Sequence, residues 1–149
     1  MDCYIKLRIG GHGLDLQEIT TELKTIPDAA FKKGDKIISK FESEKTRHTE
    51  DSWLVSVKFS KLRPLELEIE EFILSFIPHA KYIKGLSEKF DVTFWIDTYP
   101  NTEQFCVNLT KKSIAALYEM GTTFDFGVMY LVAFYDGHYK QLNPNQDMG

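Results

Sequence analysis

The chain opens with a strand pattern that leads, after four residues, into a helix with both ends marked in the sequence. Apolar and polar residues alternate over residues 3–9, the period of a strand with one buried face. Gly10-Gly11-His12-Gly13 interrupts this strand. Asp15 and Glu18 have the spacing of a capping box at a helix N-terminus. Pro27 is expected to end that helix, because the residue before a proline disfavours helical geometry. The chain must therefore adopt a fold that joins strands to helices through short connections.

Both patterns recur along the chain. Further strands are predicted at residues 37–41, 53–59, 90–96, 105–109 and 126–134, and further helices at residues 64–77 and 110–121. The predicted order is β-α-β-β-α-β followed by β-α-β, and its first six elements match the ferredoxin-like order. The simplest arrangement is an α+β fold with a mostly antiparallel sheet and helices on one face.

A single domain is expected. The 149 residues correspond to about one domain, and a chain of about 150 residues buries enough surface to fold without disulfides or metal. Residues 1–140 are assigned to the domain and residues 141–149 to a polar tail. Residues 42–52 are polar and charged and predict an exposed surface loop. Cys3 and Cys106 lie in predicted strands. A disulfide between them is possible if those strands are neighbours, but free, buried thiols are expected.

The composition argues against several classes of partner. The net charge of −4 argues against nucleic-acid binding, which depends on Lys and Arg meeting phosphates. No apolar run approaches the ~18 residues of a membrane span. The N-terminus has no basic segment followed by an apolar stretch, so no signal peptide is predicted. We therefore expect a cytoplasmic protein that binds neither nucleic acid nor membrane.

The motifs favour structural roles over chemistry. Gly10-Gly11-His12-Gly13 lies where phosphate-binding loops occur, but it lacks their lysine, and Asp15 would repel an anion. It is interpreted as a flexible connector. No histidine has a partner at a metal-ligand spacing; His48, Glu50 and Asp51 come nearest and are interpreted as solvated loop residues. No metal, no cofactor and no catalytic set is predicted.

Six residues remain as candidates for binding. Asp15, Asp28 and Asp35 are candidate ligand-binding residues beside the glycine segment; the helix cap accounts for Asp15, whereas the sequence supplies no structural role for Asp28 or Asp35. The candidate partner-binding residues are Glu66, Glu70 and Trp95. The two glutamates belong to the densest acidic run of the chain, and Trp95 alternates with the apolar face of its strand.

Four features together resemble a bacterial family known only as domain-of-unknown-function family 4279. They are the string Leu14-Asp15…Glu18-Ile19-Thr20…Leu23…Ile26-Pro27-Asp28…Gly34-Asp35, the strand residue Trp53, the helix 64–77 with Leu86 after it, and Leu117…Gly121…Phe124-Asp125-Phe126. The resemblance covers nearly the whole chain. It implies a small bacterial cytoplasmic α+β protein, and it supplies no catalytic residues because the family has none established.

Two functions are consistent with these features. The first is a non-enzymatic protein-interaction module, in its sharpest form an immunity-like protein whose acidic surface blocks a basic toxin domain. An evenly mixed surface around residues 66–71 would argue against it. The alternative is a small-ligand-binding domain, or an enzyme of unrecognised type, with its site near Gly10–Gly13 and the first helix N-terminus. A cavity with convergent polar groups there would favour this alternative.

Overall fold

The chain forms an α+β fold. The computed structural model describes residues 2–37, 47–100 and 106–128. Within them, the strands are β1 (Asp2–Gly11), β2 (Ala29–Phe31), β3 (Asp51–Lys58), β4 (Asp91–Tyr99) and β5 (Thr123–Val128). The helices are α1 (Leu16–Leu23), α2 (Leu65–Leu74), α3 (Ala80–Ser87) and α4 (Lys111–Met120), with a 3-10 turn at Ile77–His79 between α2 and α3.

The five strands form one mixed sheet in the order β2-β3-β1-β4-β5. β1 pairs antiparallel with β3 and with β4, and β2 pairs antiparallel with β3. β5 pairs parallel with β4, so the mostly antiparallel sheet predicted from the sequence is wrong. The strand predicted at residues 105–109 is absent from residues 106–109, and α4 carries the chain from β4 to β5. A crossover through a helix is the connection that joins parallel strands. The ferredoxin-like order stays a prediction.

β1 lies at the centre of the sheet and shows the alternation that the sequence predicts. Cys3, Ile5, Leu7 and Ile9 are at most 1% exposed, whereas the side chains between them are partly exposed. The helices cover this buried face with apolar side chains. The buried residues of this layer include Ile19 and Leu23 of α1, Ile69 and Ile73 of α2, Ile83 of α3, and Leu117 and Met120 of α4. The core therefore lies between the sheet and one layer of helices.

The predicted helix starts are confirmed by their hydrogen bonds. Asp15 Oδ1 accepts from the Glu18 amide at 3.0 Å, and Thr110 Oγ1 accepts from the Ser113 amide at 3.1 Å. Gly121 ends α4 in the left-handed conformation, with φ of 68°, as a C-cap glycine does.

Two predicted helix ends are wrong. α1 stops at Leu23, because Lys24 turns left-handed with φ of 50° before the chain reaches Pro27. The single helix predicted over 64–77 ends at Leu74, and Pro78 lies in a 3-10 turn from which the chain re-enters a helix as α3. Proline is tolerated in the first turn of a helix, so Pro78 separates two helices instead of ending one.

Other boundaries also differ from the prediction. The second strand lies at Ala29–Phe31, and residues 38–41 of the segment predicted for it lie outside the described residues. β3 begins at Asp51, so the exposed loop predicted over 42–52 does not include the last two of those residues, which are buried. Cys3 is buried as predicted, whereas Cys106 is exposed and outside any strand. β5 begins at Thr123, and residues 129–134 and the predicted tail lie beyond the described part of the chain.

Candidate functional site

A cleft lies between α1 and α3. Its volume is about 820 Å³. One wall is the N-terminal part of α1 with Gly13 and Leu14 before it, and the other is α3 with the residues on either side of it. We call it the α1–α3 cleft. It lies at the position where the sequence placed the site of the alternative hypothesis, beside the glycine segment and the first helix N-terminus.

The α1 wall of the cleft is acidic. Asp15, Glu18 and Glu22 all line it, because residues three and four positions apart project from the same face of a helix. α1 contains no basic residue. The ion pairs found among the described residues involve none of these three carboxylates. A row of three negative charges therefore faces the cleft, and none of them forms an ion pair with a described residue.

The floor of the cleft is apolar. Leu14 and Ile19 are each 1% exposed, and Leu86 and Phe90 are partly buried against the core. On the α3 wall, Gly85 leaves open space, because a Cβ atom placed there would meet no heavy atom within 4 Å. The missing side chain at residue 85 thus contributes to the width of the cleft.

Tyr82 also lines the cleft from α3, and its hydroxyl is buried without a hydrogen-bond partner among the described residues. Burial, together with the carboxylates of Glu18, Glu22 and Asp15, raises the pKa of the Tyr82 hydroxyl to about 12. Native proteins rarely leave a buried polar group unpaired, and each such group costs about 1–3 kcal/mol. The α3 side of the cleft therefore carries an unsatisfied group opposite an unpaired acidic wall.

Asp51 holds the glycine segment in place beside this cleft. Its carboxylate is 4% exposed and accepts from the backbone amides of Gly13 at 2.9 Å, Leu14 at 3.0 Å and Lys33 at 2.8 Å. The Lys32 ammonium lies 3.3 Å from it. The hydrogen bond from Lys33, together with those from Leu14, Lys32 and Gly13, lowers the pKa of Asp51 to about 2. Asp51 therefore joins three segments that are far apart in sequence.

The same hydrogen bonds explain why the glycine segment is a connector. An anion at this loop would have to compete with the buried Asp51 carboxylate for the amides of Gly13 and Leu14. Sequence reasoning placed Asp51 in a solvated loop and missed this role. The available signal was its position next to the apolar strand, because pairing of β3 with β1 sets Asp51 opposite Gly11.

Trp53 positions α1 against the sheet. Its indole is fully buried, and Nε1 donates to Thr20 Oγ1 of α1 at 3.1 Å. This hydrogen bond crosses from β3 to the middle of the helix that forms the acidic wall. Trp53 and Thr20 are both among the positions that carry the family resemblance.

Comparison with family models matches residues 1–131 to the family described as Domain of unknown function (DUF4279). The chain belongs to the DUF4279 family. Neither the curated proteins nor the solved structures contain a match. The family resemblance found in the sequence is thereby confirmed, and the function of this DUF4279 protein has to be argued from its own residues.

The three candidate ligand-binding residues do not come together. Asp15 lines the cleft, whereas Asp28 and Asp35 are not part of its lining. Asp28 Oδ2 accepts from the Ser56 amide at 2.6 Å and fastens the start of β2 to β3. Asp35 Oδ2 accepts from the Lys32 amide at 2.8 Å and closes a turn. Both residues thus have structural roles that the sequence did not reveal, and a binding role for them stays a prediction.

The candidate partner-binding residues lie on two faces of this DUF4279 domain. Phe72 of α2 packs against Phe94 with ring centroids 6.0 Å apart, so α2 and its Glu66 and Glu70 lie on the Phe94 side of β4. Trp95 is the next residue in the strand and projects to the other side, where Nε1 donates to Asp97 Oδ1 at 2.6 Å. One surface therefore does not contain all three residues.

The acidic run on α2 is partly neutralised by its surroundings. Arg63 pairs with Glu71, and Glu68 accepts hydrogen bonds from Ser60. Glu66 and Glu70 are partly buried and have no ion pair among the described residues. This mixture weakens the argument for a strongly acidic docking surface on α2.

The described residues offer little for metal or nucleophilic chemistry. They contain no group of three or more His, Cys, Asp or Glu side chains that could hold a metal ion. His48 stacks on Phe31 with ring centroids 3.8 Å apart. Burial raises the pKa of the Cys3 thiol to about 11, which opposes formation of a reactive thiolate. None of the described helices has the length and apolarity to cross a membrane.

Proposed function

We propose that this DUF4279 protein binds a small ligand in the α1–α3 cleft. The observation that carries the proposal is the cleft itself: its volume of about 820 Å³ falls within the roughly 300–1,000 Å³ usual for ligand sites. Its floor is apolar, and charged side chains line its walls. The acidic α1 wall and the Tyr82 side chain supply groups that orient a ligand.

The scaffold around the cleft is rigid enough to hold such a site. Asp51 fixes the segment before α1 through two backbone amides, and Trp53 ties the middle of α1 to β3. Side chains on helices that are anchored in this way keep their relative positions, which lowers the entropic cost of binding. The site therefore does not depend on a loop that must order first.

Gly85 allows the proposal to be tested by blocking the cleft. A Phe at residue 85 would extend into the open space of the cleft, whereas Ala adds only a methyl group there. The full chain is screened against a library of small polar and amphiphilic molecules by NMR chemical-shift changes. We expect at least one molecule to bind the wild type and Gly85→Ala, and to lose binding to Gly85→Phe.

The result that would overturn the proposal is a set of molecules that bind Gly85→Phe as well as Gly85→Ala, or the absence of any binder. Circular dichroism and urea unfolding establish that each variant is folded. Gly85→Leu, a smaller obstruction, repeats the comparison if Gly85→Phe does not fold.

A protein-interaction role is the second candidate. The observation that favours it is the partly exposed Trp95 indole on the sheet face opposite α2, because tryptophan is enriched among the residues that dominate protein interfaces. Affinity capture with wild type, Trp95→Ala and the double variant Glu66→Gln/Glu70→Gln tests it. A specific basic partner lost only in the glutamate variant would support the immunity-like form, and one lost only with Trp95 would place the contact on the sheet.

Two finer assignments belong to the same proposal. The antiparallel order β2-β3-β1-β4, with helices between β1 and β2 and between β3 and β4, supports a ferredoxin-like unit to which β5 is added. We also propose a cytoplasmic location in a bacterium, which the family resemblance supports.

A further inference from the structure

We propose that the ligand of the α1–α3 cleft is a small organic cation, in which an ammonium group is attached to an apolar body. This inference rests on the proposed function, because it names the chemical class that the same cleft would accept. The ammonium would lie against the carboxylates of α1, and the apolar body along the Tyr82 ring and the floor of the cleft.

The residues that line the cleft carry more negative than positive charge. The charged and titratable side chains that line it are Asp15, Glu18, Glu22, Glu88, Lys81, Lys89 and His79. Four carboxylates thus face two ammonium groups and one imidazole. The two lysines are exposed, and neither forms an ion pair with a described residue. A cation between the walls is therefore attracted, and an anion is repelled from the α1 wall.

The negative charges of the α1 wall are not balanced by ion pairs among the described residues. Asp15 accepts the capping hydrogen bond from the Glu18 amide, but neither it nor Glu18 nor Glu22 forms an ion pair with a described residue. The Tyr82 hydroxyl is buried without a hydrogen-bond partner among the described residues. Tyr82 lies close enough to all three carboxylates to feel their charge.

The apolar part of the cleft explains why the cation should be organic. Leu14 and Ile19 form a buried floor, and Leu86 and Phe90 extend it along α3. The Tyr82 hydroxyl is covered by protein atoms, so the ring is the part of this side chain that a ligand meets. Aromatic rings attract cations placed over their faces. A hydrated inorganic ion would not bury this apolar surface.

Three probes of the same shape test the charge preference: benzylammonium, benzyl alcohol and benzoate. Their dissociation constants are measured by NMR titration of the full chain at low ionic strength. We expect benzylammonium to bind about tenfold more tightly than benzyl alcohol, the effect of two partly exposed ion pairs acting together, and benzoate to bind least. Added salt should reduce this difference.

Matched variants test which carboxylates cause the preference for benzylammonium. Glu18→Gln/Glu22→Gln removes two charges from the cleft and should bring benzylammonium to the affinity of benzyl alcohol. Glu66→Gln/Glu70→Gln removes the same charge from α2 and should leave all three affinities unchanged. Tyr82→Phe keeps the ring and should retain binding, whereas Tyr82→Leu should lose most of it.

The outcomes separate this inference from the proposed function. If benzyl alcohol or benzoate binds as tightly as benzylammonium, or the Glu18/Glu22 variant is unaffected, the cation preference is wrong while ligand binding stands. If none of the three probes binds, the cation preference is also wrong, and the library screen with Gly85→Phe decides separately on the cleft. Equal losses in both glutamate variants would mean non-specific attraction and would also overturn the inference.

Discussion

At the scale of single residues, removal of the Tyr82 hydroxyl should stabilise the folded protein. The hydroxyl is buried and has no hydrogen-bond partner among the described residues. Replacing it with hydrogen in Tyr82→Phe keeps the ring and removes the desolvation cost, so we expect the unfolding free energy to rise by about 1 kcal/mol. Urea unfolding monitored by circular dichroism measures the change. A loss of stability would mean that the hydroxyl has a partner in solution.

Two glycines near helix ends should respond to alanine in opposite ways. Gly85 lies inside α3 with open space at its Cβ position, and Gly85→Ala should stabilise the protein by about 0.5–1 kcal/mol through helix propensity. Gly121 has φ of +68°, and a Cβ atom there would lie 2.9 Å from Ser87 Oγ. Gly121→Ala should therefore destabilise it by about 1–2 kcal/mol.

Melting temperatures of the two glycine variants, measured side by side, check this pair of predictions. One kcal/mol shifts the melting temperature of a chain of this size by about 2–4 °C, so the two variants should differ by several degrees. Shifts of the same sign would contradict the assignment of Gly121 as a left-handed C-cap.

Residue roles that depend on neighbours in sequence were predictable, and those that depend on distant segments were not. Asp15 and Thr110 were predicted as caps because their partners lie three residues away. Asp51 was placed in a solvated loop because its partners lie 18 to 38 positions away. The structural role of Asp28 and the burial of the Tyr82 hydroxyl depend in the same way on which strands and helices become neighbours.

At the scale of elements, the N-cap of α4 is a separable contribution to stability. Thr110 Oγ1 accepts from the Ser113 amide and also lies 3.0 Å from the Ser113 hydroxyl. Thr110→Ala removes these interactions and should cost about 0.5–2 kcal/mol of unfolding free energy. Thr110→Ser keeps the hydroxyl and serves as the control. Equal unfolding curves for the two variants would show that the cap contributes nothing.

The wrong predictions of a single helix over 64–77 and of a strand over 105–109 share a physical cause. A single helix was predicted over 64–77, but the apolar pattern continues through Ile77 to Ile83, and Pro78 redirects the chain without ending the helical layer. A strand was predicted at 105–109 from its alternating apolar residues, yet residues 106–109 lead into α4 without strand pairing. Alternation of apolar and polar residues indicates an extended segment with one face partly buried. A connection in extended conformation can show this pattern as well as a strand can.

At the scale of the whole molecule, the α+β class and family membership followed from the sequence, whereas the sheet topology did not. Alternation in β1 predicted its buried face correctly. The parallel pairing of β5 with β4 depends on α4 as the connection between them. The sequence instead predicted a further strand before α4, which would have changed the direction of the strand that follows. Of the proposed cleft, the sequence could indicate only the wall at the helix start beside the glycine segment, which is a local feature, whereas the facing wall on α3 comes from a segment more than 50 residues away.

The dependence of global stability on pH should be set to a large extent by Asp51, because its carboxylate joins the glycine segment, the turn at residues 32–35 and β3. Its pKa is about 2 in the folded protein, against an ordinary value of 3.8. The unfolded chain therefore binds a proton more readily than the folded chain between these values. The stabilisation is fully present above pH 4 and is lost as the pH falls toward 2.

Urea unfolding of wild type and Asp51→Asn from pH 2 to pH 7 tests this assignment. The amide cannot replace a carboxylate that accepts from three backbone amides, so the variant should be less stable at neutral pH. The difference between the two proteins should shrink as the pH falls from 4 to 2, because protonation weakens the wild-type carboxylate but leaves the amide unchanged. Asp2→Asn is the control: the pKa of Asp2 is also lowered, by its hydrogen bond to Lys58, but both side chains are about half exposed and the effect of removing that pair should be small. Curves for wild type and Asp51→Asn that stay parallel down to pH 2 would mean that the Asp51 carboxylate does not hold these three segments together.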